Sequence, residues 1–189
     1  VLDLQLNRIK VGPDSLIGPI GKAMPLITEI IDRAVAALCA EAIGVMDRTH
    51  QMTLDYLKTR EQFGVPIARF QALQHKSVDM FINLEQARSM SVLASGSLGF
   101  SSSLERSKAV AAAKDFIGRA GRSLGQEAIQ LHGGMGMTQE LAVGHYFKRL
   151  EAIDVLFGNS SHHRREFANF DGQDKPIEYI QPRKKWKQI

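Results

Sequence analysis

Residues 26–57 read LITEIIDRAVAALCAEAIGVMDRTHQMTLDYL, and the spacing of apolar side chains in this stretch decides the fold. Apolar residues and one histidine recur three or four positions apart along it: Leu26, Ile30, Ala34, Ala37, Leu38, Ile43, Met46, His50, Leu54 and Leu57. This period places them on one face of an α-helix. Gly44 is the only strong helix breaker before Gly64, so the sequence predicts one helix of about 35 residues, well above the usual length.

The rest of the chain continues the helical pattern. A Ser/Gly-rich link at residues 91–103 and breakers at Gly133 and Gly158 divide it. A second long helix is predicted to begin at residues 70–84 and to fade into that link, and the further helices are predicted over residues 104–131, 138–150 and 151–168. Long antiparallel helices joined by short links predict an all-α fold, an up-down four-helix bundle.

The first 22 residues have a different pattern. Leu2, Leu4 and Leu6 alternate with polar residues, which is typical of a short half-buried strand, and Gly12-Pro13 predicts a turn. A lone hairpin is marginal in water, so we interpret this stretch as the last strands of a sheet that lies elsewhere. The sequence predicts a short N-terminal β remnant, a helical bundle and a polar basic tail, over residues 1–22, 23–168 and 169–189 respectively.

Composition argues against several classes of protein. The 189 residues carry a net charge of +4, of which +2 comes from the tail after residue 170, so nucleic-acid binding is not expected. No window approaches the roughly 20 apolar residues of a membrane span. Cys39 is the single cysteine, and the adjacent His162 and His163 lack an acidic or cysteine partner at ligand spacing, so no metal site is predicted. We expect a reduced, cytoplasmic protein.

The segment from Arg60 to Pro66, REQFGVP, lies at the hinge between the first two helices. Gly64 and Pro66 suffice for a turn, whereas Arg60 and Gln62 are not needed for it. An arginine beside exposed backbone amides suits a phosphate oxygen, because its planar fork binds two acceptors at once. This spacing fits either a phosphate contact or a solvated charge.

Polar residues open the second predicted helix. Gln71, Gln74 and His75 are three and four positions apart, so they share one helix face. That face is either solvated or a row of polar groups that contacts a flat heterocycle.

A glycine-rich run, Gln130 to Thr138, ends the third predicted helix and reads QLHGGMGMT. Its spacing is not that of a dinucleotide fingerprint or a P-loop, and no strand precedes it. A plain turn between helices needs one glycine. Three glycines in four positions suggest that a ligand or another chain presses against the main chain.

Taken together, residues 60–67, 70–76 and 130–136, followed by 146–149, resemble the C-terminal domain of acyl-CoA dehydrogenases in order and spacing. The resemblance covers roughly residues 10–168. It implies a flavin-dependent enzyme in which a carboxylate removes the α proton of an acyl-CoA thioester and a hydride passes from Cβ to FAD. Electrons would then go to an electron-transferring flavoprotein. It also implies a larger subunit whose middle β domain ends in residues 1–22, and assembly into homo- or hetero-oligomers.

The resemblance implies roles for individual residues as well. The pyrophosphate of a neighbouring subunit's FAD would be held by Arg60 and Gln62, with Phe63 and Gln71 beside them. The adenosine half would lie against Gln130, Gly133 and Gly134. The flavin at the active site would be held by Asn159 and Ser161, and the implied substrate contacts are Asp32 and Gly158.

The catalytic carboxylate is missing from the two positions where this family carries it. Phe157 stands at the first of these positions and Ala34 falls on or near the second, and neither side chain can accept a proton. Asp32 and Glu41 are the nearest acids on the first helix, and Glu41 is the candidate for a displaced base. Residues 157–163 are also similar to the smaller subunit of heteromeric family members, in which the other subunit supplies the base.

The sequence therefore predicts an FAD-binding C-terminal domain that contributes flavin contacts and oligomer interfaces without supplying the base. Two alternatives stay open at this stage. One is a fragment of a complete enzyme with Glu41 or Asp32 as its base, and the other is a non-enzymatic helical assembly module.

Overall fold

The computed structural model describes residues 5–170 of the chain. Within them, five α-helices form the body of the fold: α1 (Ala23–Thr59), α2 (Gln71–Ser97), α3 (Ser103–His132), α4 (Ala142–Val155) and α5 (Ser160–Phe170). A two-residue strand pair, β1 (Glu61–Gln62) and β2 (Val65–Pro66), joins α1 to α2. Short 3₁₀ turns lie at Pro13–Ser15, Ile67–Arg69 and Gly133–Met137.

Side-chain contacts between the helices give their directions. Near the start of α1, Asp32 accepts hydrogen bonds from Arg106 and Ser107 near the start of α3. Near the other ends of these helices, the rings of Tyr56 and His132 have centroids 4.5 Å apart. Helices α1 and α3 therefore run parallel, and α2, which connects them, runs in the opposite direction. Helices α4 and α5 follow α3 back toward its start.

The core consists largely of small side chains that bring the helices close together. Cys39, Ala87, Ala94 and Ala113 are fully buried among larger residues from α1 to α4. On α3, a Cβ added at Gly125 would lie 2.6 Å from the ring of Phe147 on α4. Glycine at this position therefore permits the close approach of α4 to α3.

The predicted all-α bundle is confirmed, and the sequence places the three long helices within a few residues of their observed bounds, with one exception. Helix α2 continues through residues 91–97, which the sequence assigned to a link, because Ser91, Ala94 and Ser97 face the core. Helix α3 begins at a cap that sequence reasoning missed, in which the Ser102 hydroxyl accepts a hydrogen bond from the backbone N–H of Glu105.

The small sheet lies between α1 and α2, and the described residues 5–22 contain no strand. Their side chains are exposed, and strands at this end would need pairing partners that residues 5–170 do not supply. The predicted strand residues Leu2 and Leu4 lie outside the described residues, as does the tail from residue 171 onward. The assignment of residues 1–22 to a preceding domain stays a prediction.

Candidate functional site

The link between α1 and α2 is a tight hairpin that presents an aromatic side chain. Gln62 pairs with Val65, which leaves Phe63 and Gly64 as a two-residue loop, and both have positive φ, 58° and 77°. This is the signature of a type I′ turn, which normally carries Asn or Gly at both positions. Phe63 is instead 90% exposed, with an edge-on contact to Phe70 at 6.0 Å between ring centroids. A strained, exposed phenylalanine is poorly explained by folding alone.

The polar side chains predicted to surround this hairpin are open to solvent. Arg60, Gln62 and Gln71 are all exposed. Within residues 5–170, the Arg60 guanidinium has no hydrogen-bond or ion-pair partner, while the Gln62 amide donates to the neighbouring Glu61 carbonyl at 2.6 Å. Arg60 is therefore available to an anion.

The three glycines of the QLHGGMG run differ in what the fold requires of them. Gly133 ends α3 at φ 59° and ψ −139°, a conformation nearly exclusive to glycine. Gly136 is buried, and a Cβ there would lie 2.6 Å from the carbonyl oxygen of Ile129. Gly134 is exposed, its φ is not positive, and a Cβ would meet no atom within 4 Å. Folding thus accounts for two of the glycines, and among the described residues nothing accounts for Gly134.

The hairpin and the glycine run lie at the same end of the bundle. Tyr56, whose ring contacts His132, precedes Arg60 by one helical turn, and Gly133 follows His132 directly. Gln130, which is exposed, lies in the last turn of α3. The structure therefore brings together the residues predicted to bind the pyrophosphate and adenosine of FAD. We call this end, with Arg60, Gln62, Phe63, Gln71, Gln130, Gly133 and Gly134, the hairpin end.

The residues predicted to hold the flavin lie elsewhere, in the bend between α4 and α5. Ser160, which follows this bend, packs beside Gly118 of α3, fourteen residues before His132 and so about 21 Å from the hairpin end. Asn159 and Ser161 are exposed, and the Asn159 side-chain oxygen accepts the backbone N–H of His162, which caps α5. Gly158 has φ 101°, and a Cβ there would lie 2.4 Å from the His162 ring.

A buried lysine that sequence reasoning missed holds this bend from inside. Lys114 of α3 is 1% exposed, and its ammonium donates to the carbonyls of Ile153 (2.7 Å), Asp154 (2.8 Å) and Gly158 (3.1 Å). Burial lowers the pKa of Lys114, and the Asp154 carboxylate partly opposes that shift. The signal was present in the sequence, because Lys114 falls on the buried stripe of α3 between Val110 and Ile117.

Two further buried side chains, those of Asp154 and His163, hold the bend by hydrogen bonds. The Asp154 carboxylate accepts from both the backbone N–H and the hydroxyl of Ser160, at 3.1 and 2.5 Å. His163 is 2% exposed, and its Nε2 lies 3.1 Å from the Phe157 carbonyl. Burial and then the positive charge of Lys114 lower the pKa of His163 to about 4. His163 is therefore neutral near pH 7 and donates this hydrogen bond from Nε2.

The two acids considered as catalytic bases are engaged in ion pairs. Glu41 is bound by Arg149 through two hydrogen bonds of 2.6 and 2.8 Å, and this contact lowers the pKa of Glu41. A general base works best with a pKa raised toward neutrality, so the shift has the wrong sign. Asp32 is 2% exposed and paired with Arg106 at 2.9 Å. Both environments favour structural roles.

Among the helices of residues 5–170, none is long and apolar enough to cross a membrane. The same part of the chain contains no group of three His, Cys, Asp or Glu side chains placed to hold a metal ion.

Two relatives align with about two thirds of this chain. Acyl-CoA dehydrogenase IpdE2 of Mycolicibacterium smegmatis is 34% identical over 129 residues, which are 68% of this chain and 39% of the relative. The protein of the same name from Mycobacterium tuberculosis is 38% identical over 120 residues, 64% of this chain and 36% of the relative. The chain thus spans well under half the length of these two relatives.

Solved structures match the described fold. The structure described as the Tcur3481-Tcur3483 steroid ACAD has a TM-score of 0.74 and 29% identity, over 80% of this chain and 41% of that one. The structure described as PigA with FAD and proline has a TM-score of 0.68 and 27% identity, over 75% and 37%. The family model of the acyl-CoA dehydrogenase C-terminal domain matches residues 22–170. The chain therefore belongs to the acyl-CoA dehydrogenase family and carries its C-terminal domain.

Proposed function

We propose that this chain binds FAD as part of an acyl-CoA dehydrogenase-type oxidoreductase, and that it does so without supplying the catalytic base. The observation that carries the proposal is the hairpin end, where exposed Phe63, unpartnered Arg60 and open Gly134 have no explanation within residues 5–170. Bound FAD would accept the hydride that leaves Cβ of an acyl-CoA thioester.

The features of the hairpin end fit a dinucleotide. Arg60 offers a planar, permanently charged fork to pyrophosphate oxygens. The missing side chain at Gly134 allows a ligand to approach the main chain closely. The exposed ring of Phe63 provides an apolar surface against which part of the dinucleotide can pack. Gln62, Gln71 and Gln130 would supply amide groups around it.

The separation of the two groups of residues supports assembly into oligomers. The hairpin end and the α4–α5 bend lie about 21 Å apart along α3, so one flavin ring system does not reach both. We infer that the hairpin end of one chain and the bend of another complete each FAD site. The apolar side chains exposed on α2, including Val78, Phe81 and Val92, are suited to such an interface. Acyl-CoA and an electron-transferring flavoprotein would be the substrate and electron acceptor of the assembled protein.

The proton-removing carboxylate would come from outside this chain. Phe157 and Ala34 occupy the expected positions, Glu41 is held by Arg149 and Asp32 by Arg106. A matched structure named as a pair, Tcur3481-Tcur3483, is in keeping with a second type of subunit. In that arrangement Gly158 of the α4–α5 bend would face the substrate, Asn159 would face the flavin, and the other subunit would remove the α proton.

A titration with pieces of the cofactor tests the proposal. Purified chain is titrated with FAD, ADP and FMN, and binding is followed by fluorescence or calorimetry. ADP, which carries the adenosine and pyrophosphate, should bind and compete with FAD, whereas FMN should compete poorly. Arg60→Ala should weaken FAD and ADP alike by about tenfold to a hundredfold, because a charge-assisted bond to phosphate is lost.

Matched variants separate binding from folding. Arg48→Ala removes another exposed arginine of α1, twelve residues or about 18 Å before Arg60, and should leave both affinities unchanged. Gly134→Ala should lower the affinity for FAD without changing the melting temperature of the chain. Wild-type chain that binds neither FAD nor ADP, or Arg60→Ala that binds as the wild type does, would contradict the proposal.

A further inference from the structure

Three carbonyl groups at the end of α4 and in the bend between α4 and α5 accept hydrogen bonds from one buried side chain. The carbonyls of Ile153 and Asp154 belong to the last turn of α4, where intrahelical donors run out. The Lys114 ammonium has three N–H donors, and it uses them on these two carbonyls and on that of Gly158. Lys114 therefore ties the end of α4 to the middle of the bend.

Lys114 and His163 together set the direction of two peptide groups in the bend. Phe157 and Gly158 both have positive φ, 55° and 101°. The Phe157 carbonyl faces inward to His163 and the Gly158 carbonyl faces inward to Lys114. Because C=O and N–H of a planar trans peptide point in opposite directions, the Asn159 N–H is turned away from Lys114, toward the outer face of the bend.

Lys114 has a cost as well as a benefit for stability. A methionine of similar length would avoid the cost of removing an ammonium group from water, but it would leave the carbonyls of Ile153, Asp154 and Gly158 without this donor. The lowered pKa of Lys114 reflects that cost. Two of the three donors hold the end of α4 and the third holds the bend, so the buried ammonium fixes the shape of this connection.

We propose that Lys114 is a positioning residue for the flavin, because its ammonium fixes the peptide group between Gly158 and Asn159, whose N–H would face the isoalloxazine ring. This inference rests on the proposed function, since it needs FAD at the bend. Lys114 does not touch the cofactor and acts through the backbone alone.

The test compares Lys114→Met with Leu124→Ala. Leu124 is also fully buried on α3, ten residues or about 15 Å away, so its truncation destabilises the helix pair without touching the bend. Hydrogen–deuterium exchange of the free chain reports on residues 155–163, and titrations with FAD and ADP report on the cofactor. ADP lacks the isoalloxazine ring and is therefore the internal control.

Lys114→Met should raise amide exchange in residues 155–163 by about tenfold relative to α1 and α2. It should lower the affinity for FAD by about tenfold and leave the affinity for ADP unchanged, because only the flavin half of FAD contacts the bend. Leu124→Ala should lower the melting temperature and keep the ratio of FAD to ADP affinity. Lys114→Arg keeps the charge, but the donors of arginine lie in a rigid fork. It should therefore raise amide exchange in residues 155–163 and lower FAD affinity in the same direction as Lys114→Met, but by less.

Each failure has a separate meaning. Wild-type chain that binds neither ligand overturns the proposed function. If the wild type binds both and a folded Lys114→Met keeps its exchange pattern or its FAD-to-ADP ratio, the positioning role is wrong. Should Lys114→Met not fold, Lys114→Arg decides by the same two measurements, and a wild-type result there overturns the inference.

Discussion

Acidification should destabilise this fold through His163, a buried histidine at the α4–α5 bend. The side chain is 2% exposed, and Nε2 faces the Phe157 carbonyl at 3.1 Å. Burial, then the charge of Lys114 and that of His162, lower its pKa from 6.5 to about 4. The unfolded chain therefore takes up a proton on this residue at a higher pH than the native protein does.

The pKa shift gives the sign and size of the effect. Between pH 6.5 and 4 the unfolded state binds more protons than the native state, so stability rises with pH in this window and is lost as pH falls. The pKa of His163 falls from 6.5 to about 4 on folding. At 1.36 kcal/mol per unit, His163 alone removes about 3 kcal/mol of unfolding free energy below its native pKa, and about 2 kcal/mol of it is gone by pH 5.

Urea unfolding at about pH 7.5 and about pH 5 measures this loss for wild type, His163→Gln and His162→Gln. Glutamine at residue 163 can still donate to the Phe157 carbonyl but cannot take up a proton. Between the two pH values, the unfolding free energy of the wild type should fall by about 2 kcal/mol more than that of His163→Gln. The contributions of all other titrating groups cancel in this difference. His162→Gln, at the less buried neighbour, should keep most of the wild-type dependence. Equal pH dependence in wild type and His163→Gln would refute the reasoning.

Four further comparisons test the structural assignments. Gly136→Ala should lower the unfolding free energy by about 1–3 kcal/mol, because its Cβ would lie 2.6 Å from a backbone oxygen. Gly134→Ala should change it by less than about 0.5 kcal/mol. Equal unfolding free energies of the two variants would contradict this. Phe63→Asn should raise unfolding free energy by up to about 1 kcal/mol, since asparagine tolerates positive φ, and should weaken FAD binding; unchanged FAD affinity would remove Phe63 from the site. Asp32→Asn should cost about 3 kcal/mol by leaving Arg106 buried without its counter-charge. Glu41→Gln breaks an exposed pair, so it should cost less than about 1 kcal/mol and leave acyl-CoA turnover of the assembled flavoprotein unchanged; a loss of turnover with flavin retained would make Glu41 the base.

The long helices could be predicted because their signal is local and repeated. The apolar stripe of α1 persists over about nine turns at 3.6 residues per turn, and a two-residue error at the helix ends does not change the prediction. The end of α2 could not be predicted in the same way. Serines and a glycine in residues 91–97 are poor helix formers, but Ser91, Ala94 and Ser97 pack into the core. Tertiary packing therefore overrides the local preference.

The candidate site could be predicted only in part from the sequence. Spacing indicates that Arg60 and Gln62 follow the first helix, but only the contact of Tyr56 with His132 shows that the hairpin and the glycine run share one end. Lys114 was overlooked because its partners are backbone carbonyls 39 to 44 residues away, which no side-chain motif records. A charge on a buried helix stripe was the available clue.

Local strain and exposure discriminate between structural and functional residues more sharply than the motifs do. Three glycines in a row of four were read as a ligand signal, yet Gly133 and Gly136 are required by the chain's own backbone. The reverse holds for Phe63 and Phe157, apolar residues with positive φ that are 90% and 51% exposed and therefore gain little from folding. Backbone strain at an exposed residue is typical of functional sites. Phe63 and Gly134 lie at the hairpin end and Phe157 at the α4–α5 bend, which are the two places where the resemblance puts the two halves of FAD. This coincidence of strain, exposure and open backbone favours a cofactor over a helical module used only for assembly.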